Sequence, residues 1–430
     1  LVKDKTEMGY YKSLEMNTKT EAFKSYYKAG LLENVDESFI NEVKQYWQKH
    51  YHKNVDPMIH IAFMNYTGEK EPRIVDPRTS WNEIIPFLND QQMNSVYQDK
   101  NLYDLLIPTE RSVETVLKRA HGLYFDQHNN FLDKSAALTE LLSYKQDFIV
   151  KPSNTNNGQG IKKLYYREDY LFLDDEKLHL DALEEMYGAN FAVQKVVQQH
   201  AVMSEPHPDS VNTLRMVTLR WKDEIRYLLT FAKFGAQGKV LDNTSSGGVS
   251  IGVKDNGEFM DTALDRSFKV HAEHPTTGVL FKDMQPIPNF DQFKQYVTDL
   301  HKPILHHDFI SWDIAVGADG LPVFLEANFK GGTWFYQLLA ERPLFGDLTE
   351  EILEYMHKER NDKHSPRFKS FSKNQPSVKK LNKRVQTLKN DNQQLQKERD
   401  RIDKKYNNIL DSKSWRMTQP IRKLSSLFKR

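Results

Sequence analysis

Two stretches of the chain hold residue types that could act together on a phosphate. In the first, FIVKPSNTNNGQGIKKL (residues 148–164), an apolar run ends in Lys151 and Pro152 and passes into a polar loop containing Gly158 and Gly160. A lysine closing a strand sets a fixed positive charge beside a phosphate, and a glycine-containing loop folded over it offers backbone N–H groups to the phosphate oxygens. An ordinary hairpin turn is the alternative reading of NNGQG. In the second, SWDIAVGADGLPVFLEANFKGG (residues 311–332), two strand-like runs flank the turn GADG. Residues two apart on a strand share a face, so Glu326 and Asn328 point together, and an antiparallel hairpin brings Asp313 beside them. Three oxygen ligands without His or Cys suit Mg2+, which takes carboxylates together with nucleotide phosphates. Without a cation, Asp313 and Glu326 would be a repelling pair inside an apolar hairpin.

These residues must be positioned by alternating strands and helices. Between residues 96 and 348 the strand candidates are DFIVKP, NFAVQKVV, TLRMVTLRW, IRYLLTFAKF, WDIAVG and PVFLEAN, interspersed with helical patterns, which points to an α+β or α/β domain. Residues 1–95 read as a helical and irregular region rich in aromatics (Tyr26, Tyr27, Trp47, Tyr51, Trp81) with no interpretable motif. Residues 349–377 read as a helix end followed by a polar linker, NDKHSPRFKSFSKNQPS.

The stretch 378–410 is the most regular in the chain. Val378, Val385, Asn392, Arg399 and Tyr406 recur every seven residues, each followed three later by Leu381, Leu388, Leu395, Ile402 and Ile409. Val at a with Leu at d favours a parallel two-stranded coiled coil, and Asn392 at an a position fixes register. A single amphipathic helix packed on the body is the alternative. Residues 411–430, with Trp415, Ile421, Leu424 and Phe428 among Lys and Arg, read as a basic amphipathic tail for an anionic lipid surface or as a terminus without a partner.

Composition bounds these readings. The chain has 430 residues, 39% hydrophobic and 28% charged, as in a soluble multidomain protein. It contains no cysteine, hence neither disulfides nor a thiolate nucleophile, which fits a cytoplasmic setting. No apolar run approaches a membrane span, and LVKDKTEMGYYKSLEMNTKT lacks the apolar core of a signal peptide. The chain begins at Leu1 and leaves room for an upstream segment. Its net charge of +1 hides a split: residues 373–430 hold 17 Lys or Arg against 5 Asp or Glu, so they carry +12 and the rest carries −11.

The order strand–Lys, glycine loop, hinge strand, basic residue and then Asp313…Glu326-x-Asn328 resembles the ATP-grasp superfamily. Within it, the phrases IIPFLND, DKNLYDLL, IVKPS…GQGI, SVNTLRMVT, GGVSIGV, IPNF, WDIAV and FLEANFKGG are similar to the sugar-transfer-associated branch found with bacterial surface-polysaccharide genes. The likeness spans about residues 80–348. It implies an α+β ATP-grasp fold of two lobes clamping ATP, with the helical N-terminal region and the C-terminal coiled coil added. Lys100 matches the lysine that reaches the α-phosphate, Lys151 the second nucleotide lysine, and Gly158 and Gly160 the covering loop, where Asn157 replaces a frequent glycine. Gln194, Lys195 and Val197 match the hinge that reads adenine through backbone groups. Arg215 matches the residue that steadies the transferred phosphoryl group and is implied to be catalytic together with Lys151, and Asn212 nearby is implied to join the ATP-binding set. Asp313, Glu326 and Asn328 match the Mg2+ ligands.

The activity so implied is a carboxylate–amine ligation through an acyl-phosphate, with ATP and Mg2+ as cofactors and a small molecule or glycan precursor as substrate. A kinase-like phosphotransferase and a non-catalytic nucleotide-binding scaffold are the rivals. No nucleic-acid partner is expected. A homodimer through the coiled coil, and a cytoplasmic protein touching the inner face of the bacterial membrane through its tail, complete the expectations. His306 and His307 read as structural or acceptor-facing. His200 and His207 flank the post-hinge loop near ribose or substrate.

Overall fold

The computed structural model describes residues 2–154, 160–235, 247–362, 364, 365, 367 and 378–411. They fall into two compact units, residues 1–371 and 372–430. Two antiparallel sheets organise the first. The smaller lobe holds β1 (Thr115–Ala120), β2 (Leu123–Asp126), β3 (Phe131–Leu132), β4 (Phe148–Pro152), β5 (Lys162–Arg167), β6 (Tyr170–Leu173), β7 (Glu176–Lys177) and β8 (Phe191–Lys195), in the order β3-β2-β1-β8-β4-β5-β6-β7. The larger holds β9 (Thr213–Trp221), β10 (Glu224–Phe234), β11 (Val249–Val253), β12 (Phe259–Leu264), β13 (Val270–His271), β14 (Phe309–Val316) and β15 (Pro322–Asn328), in the order β13-β12-β11-β10-β9-β14-β15.

Strand alternation decides what each face buries. In β4, Phe148 and Val150 enter the small-lobe core with Ala137 and Leu141 of the helix Lys134–Ser143 and Leu183 of Leu180–Tyr187. Ile149 and Lys151 are left on the opposite face. In the larger sheet, Leu214 and Met216 of β9 and Trp312 and Ile314 of β14 pack with Phe293 and Val297 of the helix Phe290–His301. Val217, Leu219, Phe231 and Phe309 pack on the other face. That second face is covered partly by the helix Thr333–Ala340, which approaches β11 so closely that a Cβ on Gly252 would lie 1.9 Å from the Leu339 carbonyl oxygen.

The N-terminal residues are part of that same core. The helix Glu37–Tyr51 starts where the Asp36 carboxylate accepts from the Ser38 and Phe39 N–H groups, and it buries Phe39, Ile40, Val43, Trp47 and Tyr51 on one stripe. These side chains join Val217, Leu219 and Phe231 in one cluster, together with Ile352, Leu353 and Met356 of the helix Thr349–Asn361. Composition separates residues 1–95 and 349–361 from the sheet domain, but packing does not. Apolar residues at helical spacing show that a helix has a buried face without showing which element covers it.

In the second unit a single helix runs from Val378 to Asp411. Its predicted d positions Leu388, Leu395 and Ile402 are exposed, as is Tyr406. The basic tail from residue 412 onward lies outside the described residues, as does most of the predicted linker.

Candidate active site

The cationic half of the site is built on β4 and the short helix Lys100–Leu102. Lys151 is 8% exposed, and burial, followed by the neighbouring Lys100 charge, pulls its ammonium down from the usual lysine range to about 8. Glu326 and Asp313 pull the other way. Lys100 lies in the short 3-10 helix Lys100–Leu102, pinned where its backbone N–H donates to the Ser153 carbonyl at 2.9 Å. Its Nζ stands 3.5 Å from Glu326 Oε2. Gly160 has φ +76°, and a Cβ there would meet the Pro152 ring at 3.1 Å, so the loop requires glycine at this point. Gly158 lies outside the described residues.

The acidic half is built on β9, β14 and β15. Asp313 on β14 stands in register with Arg215 on one side and Glu326 on the other. Arg215 forks onto Asp313, Nε to Oδ1 at 2.5 Å and Nη2 to Oδ2 at 2.9 Å, while its Nη1 donates to Tyr336 Oη at 3.0 Å. Lys233 Nζ lies 3.3 Å from Asp313 Oδ2. Burial alone would raise the Asp313 carboxyl, but the Arg215 and Lys233 charges hold it well below the usual carboxylate range. The Asn328 amide sits 3.4 Å from Asp313 Oδ2 and 3.5 Å from Glu326 Oε1. Protein cations thus offset the two carboxylates, where the sequence reading looked to a bound cation alone.

A β-bulge between the Asp313–Glu326 and Ile314–Phe324 pairs adds one residue to β15. The consecutive side chains Leu325 and Glu326 consequently both reach the cleft, while Phe324 and Ala327 point into the core. The cleft has a volume of about 450 Å³, within the roughly 300–1,000 Å³ of small-molecule sites. Lys151, Arg215, Lys233, Asp313 and Glu326 line one end; Ile149, Ile161, Val113 and Leu325 line an apolar stretch; and Gln194 to Gln199 close the far end. Lys195 is tied into that wall by its N–H to the Glu114 carbonyl at 3.0 Å and by an ion pair with Glu114 at 2.6 Å.

Asn212 is placed differently from the expectation. It is fully buried, its amide nitrogen donates to the Met203 and His207 carbonyls at 2.6 and 2.8 Å, and its Oδ1 accepts from Ser210 Oγ at 3.0 Å and Gly235 N–H at 3.1 Å. Its polar atoms are spent on bracing the post-hinge loop, and it is not part of the cleft lining. His200 caps the helix Ala201–Ser204, and His207 is buried against Ser210, so both serve that loop as well. His307 is buried against Phe329, with ring centroids 4.2 Å apart.

Lys233 and Tyr336 escaped the sequence reading. Lys233 had a visible signal, a lone lysine in the apolar run YLLTFAKF that becomes β10. Tyr336 had none, because only the fold brings its helix to Arg215. For a metal, the oxygens of Asp313, Glu326 and Asn328 are the hard donors that Mg2+ takes. Among the described residues no cluster of three His, Cys, Asp or Glu side chains could hold an ion. With Lys100, Lys151, Arg215 and Lys233 around two carboxylates, the donors fit a cation that arrives on a polyanion rather than alone.

Residues 81–352 match the family described as sugar-transfer associated ATP-grasp, which is more than half of the chain. No curated protein sequence matches it. Among solved structures, the VanG D-Ala:D-Ser ligase from Enterococcus faecalis is 13% identical, with 63% of each chain covered and a TM-score of 0.39. The ATP-grasp ligase PsnB complexed with minimal precursor, Mg and ADP is 12% identical, covering 63% of this chain and 62% of its own, with a TM-score of 0.35. A D-alanine–D-alanine ligase from Bacillus anthracis is 12% identical, covering 67% of this chain and 80% of its own, with a TM-score of 0.36. The chain thus spans a little under two thirds of the length of the first two ligases.

The Arg215–Asp313–Lys233 cluster makes the two carboxylates distinguishable. Asp313→Asn removes the buried anion that Arg215 and Lys233 share and should cost about 3–5 kcal/mol in urea unfolding. Glu326→Gln should cost less, roughly 1–2 kcal/mol, since the Glu326 contacts are longer, with Lys100 Nζ and the Asn328 amide each at 3.5 Å. Equal losses in the two variants would contradict the charge pairing described.

Proposed function

This chain belongs to the sugar-transfer-associated ATP-grasp family, and from that premise we propose that it is an ATP- and Mg2+-dependent carboxylate–amine ligase. It would join an amino acid or similar carboxylate to an amine of a bacterial surface-polysaccharide precursor. One observation carries the nucleotide half of this reading: a single cleft has buried cations and carboxylates at one end and an apolar slot with a polar hinge at the other. A triphosphate has the charge to meet the first, and a flat base suits the second.

Lys151 and Lys100 would hold ground-state phosphates, and Ile149 and Leu325 would sandwich the base. Since the Lys195 N–H is already given to Glu114, base recognition falls to the remaining hinge groups from the Lys195 carbonyl to the Val197 N–H. Asp313, Glu326 and Asn328 would hold Mg2+, which when bound neutralises the phosphate oxygens. In the reaction, an acceptor carboxylate oxygen bonds to the γ-phosphorus as the β,γ-bridging P–O bond breaks and ADP leaves. The amine then attacks the acyl carbon, loses a proton and expels phosphate. Arg215 and Lys233 supply fixed positive charge where negative charge spreads during the first transfer, so the chain contributes positioning and electrostatics rather than a nucleophile.

Product analysis tests the reaction type. A ligase yields ADP and free phosphate in equal amounts with each amide formed, whereas phosphate retained on the acceptor would mean a kinase.

The Lys151 ammonium generates a pH prediction. Its charge is present below about 8 and is lost as pH rises through that value. ATP affinity should therefore fall above pH 8, by up to roughly tenfold per unit for one linked proton. Lys151→Arg stays charged and should flatten the profile; an unchanged slope in that variant would remove Lys151 from the phosphate site.

We also propose that the chain dimerises through the helix Val378–Asp411. Leu388 and Leu395 are 60% and 64% exposed in the single chain, and a second copy in parallel would cover this seam. The +12 charge of residues 373–430 would then be doubled, and the tail would carry it to an anionic bilayer. Light scattering should give a dimer for the full chain and a monomer without residues 373–430, and flotation with anionic vesicles should follow the tail. A truncated protein that stays dimeric would place the interface in the body, and a full chain that ignores the vesicles would remove the membrane contact.

A further inference from the structure

Two cavities share a stretch of wall. Val113, Gln194 and Leu325 line both the 450 Å³ cleft and a second cavity of about 160 Å³. The walls of the second include Tyr103, Ile107 and Phe324 of the larger lobe's side and Glu114 and Thr115 of the segment entering β1. Gln194 is 3% exposed, stands in register with Thr115 across β1 and β8, and donates its side-chain amide to Thr115 Oγ1 at 2.9 Å. That bond fixes the side chain between the two spaces.

The orientation of a bound nucleotide follows from the charge distribution, so this inference rests on the nucleotide reading above. With the phosphates at Lys151, Arg215 and Lys233 and the ring between Ile149 and Leu325, the edge of a purine farthest from its ribose faces Gln194 to Val197. In a purine joined to ribose at N9, that edge carries N1 and the substituent on C6.

We propose that Gln194 is the residue that sets the size limit on the base. The protein takes purine nucleotides with a small 6-substituent and rejects those bulky at this position, because Gln194, held by Thr115, closes the way into the second cavity. Shortening the side chain joins the two spaces. A cavity of about 150 Å³ is enough for a benzene ring, so the second cavity, at about 160 Å³, matches one N6-benzyl group.

The test compares Mg2+-ATP with Mg2+-N6-benzyl-ATP by titration calorimetry on the full chain. Wild type should bind ATP and discriminate against the benzyl analogue by at least on the order of tenfold. Gln194→Ala should bring the two affinities to within a few-fold of each other, about tenfold or more in favour of the analogue relative to wild type. Gln194→Ser, which keeps a hydroxyl for Thr115, should move the ratio in the same direction and serves if the alanine variant does not fold. Equal affinity of wild type for both nucleotides overturns the proposal, as does a folded, ATP-binding variant that still excludes the analogue. Failure of wild type to bind ATP at all would instead overturn the nucleotide reading on which the proposal stands.

Discussion

The bidentate contact between Arg215 and Asp313 is the interaction on which the site depends. It crosses from β9 to β14, and neither group is well solvated. Taking either charge out of water alone costs several kcal/mol, so each is tolerable only because the other is there. The fork leaves one guanidinium nitrogen for Tyr336 and one carboxylate oxygen shared with Lys233 and Asn328. The pair thereby fixes β10, β15 and the helix Thr333–Ala340 around a common point.

The electrostatic character of the cleft follows from that arrangement. Cations outnumber carboxylates at one end, so the local field favours a polyanion, and low-dielectric walls on either side reduce its screening. Lys151 registers the cost: without a phosphate beside it, its charge is disfavoured by burial and by Lys100. A site tense in this way gains from a triphosphate more than a solvated surface patch would. The bulge on β15 also brings Leu325 into the cleft lining, which includes Ile149. One added residue in one strand thus supplies both an apolar wall and a metal-competent carboxylate, Glu326.

Much of this was legible in the sequence. All six predicted strand runs are strands, and the GADG hairpin that brings Asp313 close to Glu326 was visible, although the bulge sets their exact pairing. Local patterns dictate such features. The bulge, the fork of Arg215 on Asp313 and the arrival of Tyr336 depend on which strands become neighbours, and β9 joins β14 across nearly a hundred residues of chain. The N-terminal helices showed their apolar stripes but not their partner, which proves to be the far face of the same sheet. Asn212 illustrates the reverse error: a polar residue beside a motif was read as a ligand-binding group, whereas buried turns consume such amides to satisfy their own backbone.

The central claim is that the charged end and the apolar slot form one nucleotide site. A crystal structure with a non-hydrolysable ATP analogue and Mg2+ tests it most directly. The account predicts phosphates between Lys151 and the Arg215–Lys233 pair, the metal on the side of Asp313, Glu326 and Asn328, and the base between Ile149 and Leu325 with its outer edge on the hinge. A nucleotide bound elsewhere, or one whose base occupies the charged end, would contradict it.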